Sequence, residues 1–500
     1  MDRDTNSKDL TPYFPVRILL SLPWFFPEAG GGGQTYVLQV AKELQRRGHE
    51  VRVLAGVRGA GGGRPGTGDG RRERAEGAAG LGGAVSKPFL LSEYTFDGVR
   101  VLALRMNPRA LRWEEAIAET SPALLAGLGA ALDEAKPDLV HLNGFKPALT
   151  RLCSERGIPF VVTAHHPGVV CPAGLRLNEK GEICEEAARP EVCVRCCATQ
   201  RSGSRLLGTA LAALPAGLSR LAVRASGTRG PGGKAVRAVA YPEAVRESLL
   251  SKALVWEEAP LWIAPSQAMK GYLLRQGIEE GRVVHIPHGM EPVAGVPPVR
   301  IEGERVRFGY LGGFSFVKGL HVLTEAAGCM AHGERCEIHV FGRASSPWAC
   351  AYRAQTVGRY AGKTRLVLHD PIPHERVAEA YAAFDVLVVP SNCLEVFGLV
   401  VLEAFTAGRP VIVSDAGALP ELVRDGVDGL IVPHGDAGAL AGAMDALAAE
   451  PERVLKIATQ LPPVRSVAEH VDDLVQAYGM VRAPVPGLPS SSPVCRLPVP

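Results

Sequence analysis

Apolar positions along this 500-residue chain follow two periods that alternate. Residues 16–21, "VRILLS", form a short continuous apolar run. Residues 34–47 place Val37, Val40, Ala41 and Leu44 at helical spacing, with Gly48 suited to the helix end. A glycine run, Gly30 to Gly33, joins the two. The rhythm returns in "KPDLVHLNG", "IPFVVTAHH" and "PLWIAPS". After the proline-rich "HIPHGMEPVAGVPPVRIEGE" it resumes in "VRFGYLGG", "CEIHVFG", "TRLVLHD", "FDVLVVPS", "RPVIVSD" and "DGLIVP". Continuous apolar strands alternating with helices predict parallel sheets covered on both faces.

The predicted fold is therefore α/β, two doubly wound Rossmann-like domains facing a central cleft. The first domain takes residues 16–290, a linker 291–300, the second 301–462, and a last helix over 463–482 is placed to cross back. Five hundred residues exceed what one core usually serves, which agrees with two domains. In such sheets ligands sit outside the carboxyl ends of the strands, so the cleft is the expected site.

Four segments break the rhythm. Residues 1–15 are polar. Residues 56–84 are rich in Gly and Arg without an aromatic residue and predict a disordered insertion. Residues 171–237 are first cysteine-rich and then basic, and 483–500 form a proline-rich tail.

Composition narrows the partners. Lys and Arg number 55 against 52 Asp and Glu, a formal charge of +3, so no overall charge points to nucleic acid. The start lacks the pattern of a secretory signal, and no apolar run reaches the roughly 18 residues that span a bilayer. The expectation is a cytoplasmic protein, with a place at the inner face of the membrane as its extension. That extension rests on residues 201–237, where seven Lys or Arg and no acid surround "LLGTALAALPAGLSRLAV". The segment fits either an anionic membrane surface or a packed helix with a solvated basic face.

Eleven cysteines are an odd number for a disulfide framework. Cys171, Cys184, Cys193 and Cys196, with Cys197 adjacent, occupy a polar stretch ending in Cys-x-x-Cys. A structural zinc fastening a coreless insertion is one reading, and free thiols or a labile disulfide are the others.

The sharpest feature is "SNCLEVFGLVVLEAFTAGRP", residues 391–410. A strand, a loop and a helix over 397–407 put Glu395 before the helix and Glu403 about two turns into it. Backbone N–H groups at Phe397, Gly398 and Leu399 would favour an anion. Spacing alone leaves two readings, a solvated helix edge or two functional carboxylates.

With "GRPVIVSDAGALPELV", "GVDGLIVPHGDAGAL", "VVHIPHGM", "YLGGFSFVKGLHVLTEA" and the first glycine loop, this stretch resembles the retaining GT-B glycosyltransferases of family 4 over roughly residues 16–480. The resemblance implies an enzyme that moves a sugar from a nucleotide-sugar donor to a hydroxyl of a saccharide or lipid-linked acceptor. Its implied setting is synthesis of a cell-surface polysaccharide or related glycoconjugate. Carried over residue by residue, Glu403 binds the nucleotide ribose and Glu395 faces the donor sugar. The N–H groups of Phe397, Gly398 and Leu399 hold the phosphates. Gly32 and Gly33 of the first loop, and Gly312 and Gly313 of "YLGG", let backbone approach the donor. Lys318 of "FVKG" matches the family lysine that neutralises the departing diphosphate, and His165 of "VVTAHHPG" matches the histidine beside the transferred sugar. The chain departs from the pattern at Gly313, where the family has an arginine; Arg343 of "VFGRA" is the expected substitute cation. No cofactor is implied for catalysis, and some members carry a similar cysteine pattern after the histidine. Two alternatives stay open, a catalytically degenerate nucleotide-sugar-binding or scaffold protein and a GT-B nucleotide-sugar epimerase.

Overall fold

The computed structural model describes residues 15–27, 31–57, 75–76, 87–107, 119–225 apart from 176 and 179, and 231–482 apart from 302–304, 345, 361 and 363. The predicted tails, except residue 15, lie outside these.

The first sheet contains β1 (Arg17–Trp24), β2 (Glu50–Val57), β3 (Ala75–Glu76), β4 (Phe89–Phe96), β5 (Val99–Met106), β6 (Leu139–Leu142), β7 (Phe160–Thr163), β8 (Trp262–Ala264) and β9 (Val283–His285). Its order is β3-β4-β5-β2-β1-β6-β7-β8-β9. Pairing is parallel from β5 through β9, and β4 runs antiparallel to β3 and β5. The β4–β5 hairpin turns on Asp97 and Gly98, both at positive φ (50° and 81°), the geometry that Asp-Gly favours in a two-residue turn. This hairpin was not among the predicted strands. The predicted insertion at 56–84 also needs correction at both ends. Gly56 and Val57 complete β2, and residues 75–76 pair with β4; the remainder falls outside the described residues.

The second sheet contains β10 (Val306–Leu311), β11 (Cys336–Phe341), β12 (Arg365–Leu368), β13 (Val386–Val389), β14 (Val411–Ser414) and β15 (Gly429–Val432). Its order is β12-β11-β10-β13-β14-β15, all parallel. The strands β13 and β14 are buried along their whole length, as their unbroken apolar sequences require. Asp385, fully buried, locks the start of β13 to β10 by accepting two bonds from the Arg307 guanidinium, at 2.7 and 3.1 Å.

The helix Val467–Arg482 leaves the second domain and packs on the first. Val467, Val471, Leu474 and Tyr478 join Val37, Val40 and Leu44 of the first helix, Gly32–Arg46, in one core. Burying each such side chain is worth about 1.5–3 kcal/mol, so the helix belongs energetically to the domain it returns to.

Between β7 and β8 stand the helices Pro190–Ser202, Arg205–Ala212, Ala216–Ala225 and Pro231–Glu258. Cys193, Cys196 and Cys197 lie on the first of these helices, and Cys171 and Cys184 precede it. Among the described residues no three Cys, His, Asp or Glu side chains are arranged to hold a metal. Cys196 Sγ turns instead to the Leu177 carbonyl, 3.4 Å away, and Cys197 enters a small core with Val194, Val245 and Leu249. Cys171, Cys184 and Cys193 are half-buried.

Candidate active site

The site forms where the carboxyl end of β13 meets the first domain. The helix that carries Glu403 spans Leu399–Thr406, two residues shorter at its start than the sequence predicts. Gly398 causes this: it adopts φ 95°, a left-handed conformation that ends the loop and starts the helix, and no side chain caps the first turn. Phe397 and Gly398 thus lie before the helix, with Leu399 as its first residue. In the first domain the helix Gly32–Arg46 begins two residues earlier than predicted, so Gly32 and Gly33 form its first turn. The two helix starts touch: a Cβ on Gly32 would stand 3.1 Å from Leu399 Cδ1.

Glu395 is held on all sides. Its Oε1 accepts from Lys318 Nζ and from Ser391 Oγ, both at 2.6 Å. Burial works to raise its pKa, but Lys318 and Ser391 outweigh it and hold the carboxyl below its ordinary value. Its backbone is clamped by Gly417, where a Cβ would come within 2.3 Å of the Glu395 carbonyl oxygen, and that oxygen accepts from Ala418 N. Lys318 reaches it from the short 3-10 turn Phe316–Lys318, which ends at Gly319 (φ 71°) tight against the Pro390 carbonyl.

Glu403 has the opposite electrostatics. Its Oε2 accepts from Tyr381 Oη at 2.9 Å, yet no cation among the described residues pairs with it, and burial pushes its pKa up to about 7. Tyr381 is positioned in turn by Arg409, whose Nε donates to the Tyr381 carbonyl (2.8 Å) and whose Nη2 donates to Pro297 O (2.9 Å) in the linker. One glutamate is therefore a paired carboxylate, and the other titrates near neutrality.

Across the cleft, His165 follows β7. Its Nε2 donates to Asn143 Oδ1 at 2.6 Å, and Lys146 Nζ fixes the Asn143 carbonyl at 2.6 Å. Burial first, and then nearby His288 and Lys146, depress the His165 pKa strongly, so its ring is neutral near pH 7. Tyr36, His165 and His288 pack with centroids 4.3–5.1 Å apart, and His288 meets Phe397 edge-on at 4.8 Å. His470 of the returning helix completes this group, receiving the Tyr36 hydroxyl proton at 2.9 Å and donating from Nδ1 to Pro287 O at 2.8 Å. His166 reaches the surface on one side while its ring lies largely against the protein, and this partial burial, with the positive charges of Lys146, Lys252 and Lys318, lowers its pKa to about 4.

Contacts join Lys318 to Glu395, Gly32 to Leu399, and His165 through His288 to Phe397, while Glu403 stands on the helix that Leu399 begins and is held by Tyr381. Gly312 closes the end of β10, donating to Phe341 O at 3.1 Å. Gly313 is open: a Cβ there meets nothing within 4 Å. Arg343 lies exposed after β11. A cavity of about 560 Å³ opens beside Leu394 and Gly417, lined also by Asp415, His434 and Arg275 among others; none of Lys318, Glu395 and Glu403 lines it. Sequence reasoning missed Tyr381, Ser391, Asn143 and His288. His288 stands inside a quoted motif, whereas Tyr381 sits in the helix Val377–Ala382 with no spacing that sets it apart.

Comparison with known proteins decides the family. The description "Glycosyl transferase 4-like domain" matches residues 31–289, and "Glycosyl transferases group 1" matches residues 305–450. The chain belongs to the family 4 type of GT-B glycosyltransferases. Similar curated relatives are the D-inositol 3-phosphate glycosyltransferases of Geodermatophilus obscurus and Mycolicibacterium vanbaalenii. The former is 34% identical over 218 residues, 40% of this chain and 48% of that protein. The latter is 39% identical over 116 residues, 23% and 26%. The chain thus spans less than half the length of these relatives. The glycosyltransferase fold is shared with sucrose-phosphate synthase from Thermosynechococcus elongatus (TM-score 0.62, 19% identity, 93% and 98% of the two chains). It is shared too with Anabaena HepE in complex with UDP and glucose (TM-score 0.59, 15% identity, 93% and 99%).

Proposed function

We propose that this protein transfers a sugar from a nucleotide-sugar donor to a hydroxyl of a saccharide or lipid-linked acceptor, with retention of anomeric configuration, in synthesis of a cell-surface polysaccharide or related glycoconjugate. The observation that carries this reading is one helix start flanked by an uncommitted carboxylate, Glu403, and an ion pair, Lys318–Glu395. Uncapped N–H groups and Lys318 suit a diphosphate. Glu403, which lacks a cation, suits hydroxyl donors such as those of a ribose. Glu395, drawn toward the sugar side, accepts sugar hydroxyls once Lys318 turns to phosphate. As the sugar–phosphate bond breaks, negative charge grows on the phosphate beside Lys318, where it is stabilised more than in the ground state. His165, uncharged, adds no cation against the positive charge developing on the sugar. The tight contact between domains keeps water from intercepting that centre.

The test is nucleotide release from a panel of donors, with and without acceptors that include D-inositol 3-phosphate, the substrate in the relatives' names. Acceptor-dependent release, with the product's anomeric carbon retained by NMR, is expected. Nucleotide binding without release under every acceptor overturns the transferase reading in favour of a binding protein. Isomerised donor without transfer overturns it in favour of an epimerase.

A further inference from the structure

The first domain carries an apolar, cationic hairpin that its described residues do not cover. Helices Arg205–Ala212 and Ala216–Ala225 meet at a bend of 98°. Each is pinned on one side only. Gly208 sits under the helix Pro190–Ser202, where a Cβ would come 2.0 Å from Thr199 Oγ1, and buried Ser219 marks the packed side of the second helix. The remaining sides are bare leucine: Leu206 is 85% exposed, Leu221 62%, Leu207 49% and Leu218 47%. Surface leucines are normal singly, but four within sixteen residues are not.

Charge identifies what covers them. At helical spacing Leu218, Leu221 and Ala225 fall on one face, with Arg220 and Arg224 along its flank. Arg205 precedes the leucines of the first helix. Arg220 is also paired with buried Glu243 at 2.9 Å, while Arg205 and Arg224 are exposed. Residues 201–237 contain seven Lys or Arg and no acid, in a chain whose total charge is only +3. Apolar side chains rimmed by cations match a surface with an anionic face over a hydrocarbon interior. A protein partner would need an apolar patch ringed by acids; a bilayer with anionic headgroups supplies both throughout.

We infer that this hairpin docks the protein on an anionic membrane surface. Its mounting connects to the cleft. The helix Pro231–Glu258 runs from the hairpin to the loop after His166, where Lys252 Nζ donates to Gly168 O (2.6 Å) and Trp256 Nε1 donates to Val169 O (3.2 Å). Docking therefore fixes the acceptor side of the cleft relative to the bilayer, a consequence that rests on the transferase reading and selects lipid-linked acceptors.

Vesicle flotation tests this with the full chain. Wild type is expected to float with vesicles of equal parts phosphatidylglycerol and phosphatidylcholine, to be released as salt rises, and to stay behind with phosphatidylcholine alone. A Leu206→Gln, Leu221→Gln double variant should lose about tenfold or more in partitioning with unchanged circular dichroism. Arg205→Gln with Arg224→Gln should weaken binding and flatten its salt dependence. The inference is overturned by wild type that remains in solution at low salt, or by a leucine variant that binds equally. A wild-type dimer that the leucine variant turns into a monomer also overturns it, because the covering surface is then a second copy. Transfer to a water-soluble acceptor is measured in parallel. Transfer without flotation removes only the membrane surface; flotation without transfer removes only the transferase.

Discussion

At the residue scale, the two glutamates that look alike in sequence differ by one partner. Glu395 has the cation Lys318 beside the Ser391 hydroxyl, and among the described residues Glu403 has the Tyr381 hydroxyl without a cation. An ordinary carboxyl titrates near 4.5, and Glu403 near 7, so the folded state holds its proton over the window between them. The folded state binds more protons there, so stability falls as pH rises through that window and is level above it. Glu403→Gln should flatten the thermal stability profile between about pH 4.5 and 7, as followed by Tm. Wild type should also bind nucleotide more tightly as pH rises through about 7, where Glu403 becomes a full acceptor. Glu403→Gln should lose both that trend and affinity, read by calorimetry. For the other pair, Lys318→Ala leaves Glu395 enclosed without its cation. With the lysine side chain 41% exposed, solvent screening limits the cost to about 1–3 kcal/mol. The double variant with Glu395→Ala should recover part of it in urea denaturation, while either single variant abolishes transfer.

The next scale is that of elements, where turns hold side chains in register. Gly319 presses on Pro390 O so closely that a Cβ would stand only 1.7 Å from that oxygen, and its φ is 71°, so Gly319→Ala must displace the turn that presents Lys318. A loss of about 1–3 kcal/mol and of most activity is expected. Gly313→Arg should behave oppositely, because its Cβ enters open space. It should leave Tm unchanged and raise kcat by restoring a cation beside the leaving phosphate. Legibility in the sequence divides along the same line. Every strand of the second domain could be read from unbroken apolar runs such as "FDVLVVPS". The helix starts at Gly32 and Leu399 were misplaced by two residues, because glycine dihedrals are settled by tertiary contacts that periodicity does not carry. The hairpin β4–β5 was overlooked although Asp97-Gly98 announced its turn, since β4 is only half-buried and its apolar pattern is correspondingly weak. Glu403 is singled out by its motif, whereas its hydrogen-bond partner Tyr381, 22 positions earlier, carries no such signal.

For the whole molecule, the site exists only where two domains meet. Ser266 Oγ donates to Val396 O at 2.7 Å, Glu421 caps the helix Gln267–Arg275 through Gln267 N and Ala268 N at 2.8 and 2.6 Å, and Gly32 abuts Leu399. Gly32→Val should push this seam apart. The expected result is a larger radius of gyration by X-ray scattering and at least a roughly tenfold lower kcat, with secondary structure intact. The returning helix Val467–Arg482 sets a further condition, one of timing. Its Val467, Val471, Leu474 and Tyr478 finish a core that opens with Val16. On the ribosome the first domain is fully translated by about residue 290, yet the side chains that seal it emerge nearly two hundred residues later. At roughly 5–20 residues per second this is a delay of some ten to forty seconds. During that interval Tyr36 and Val37 lack their cover, so the nascent first domain is a client for whatever shields apolar surface in the cell, and a chain released before residue 467 is marked by the same exposed groove.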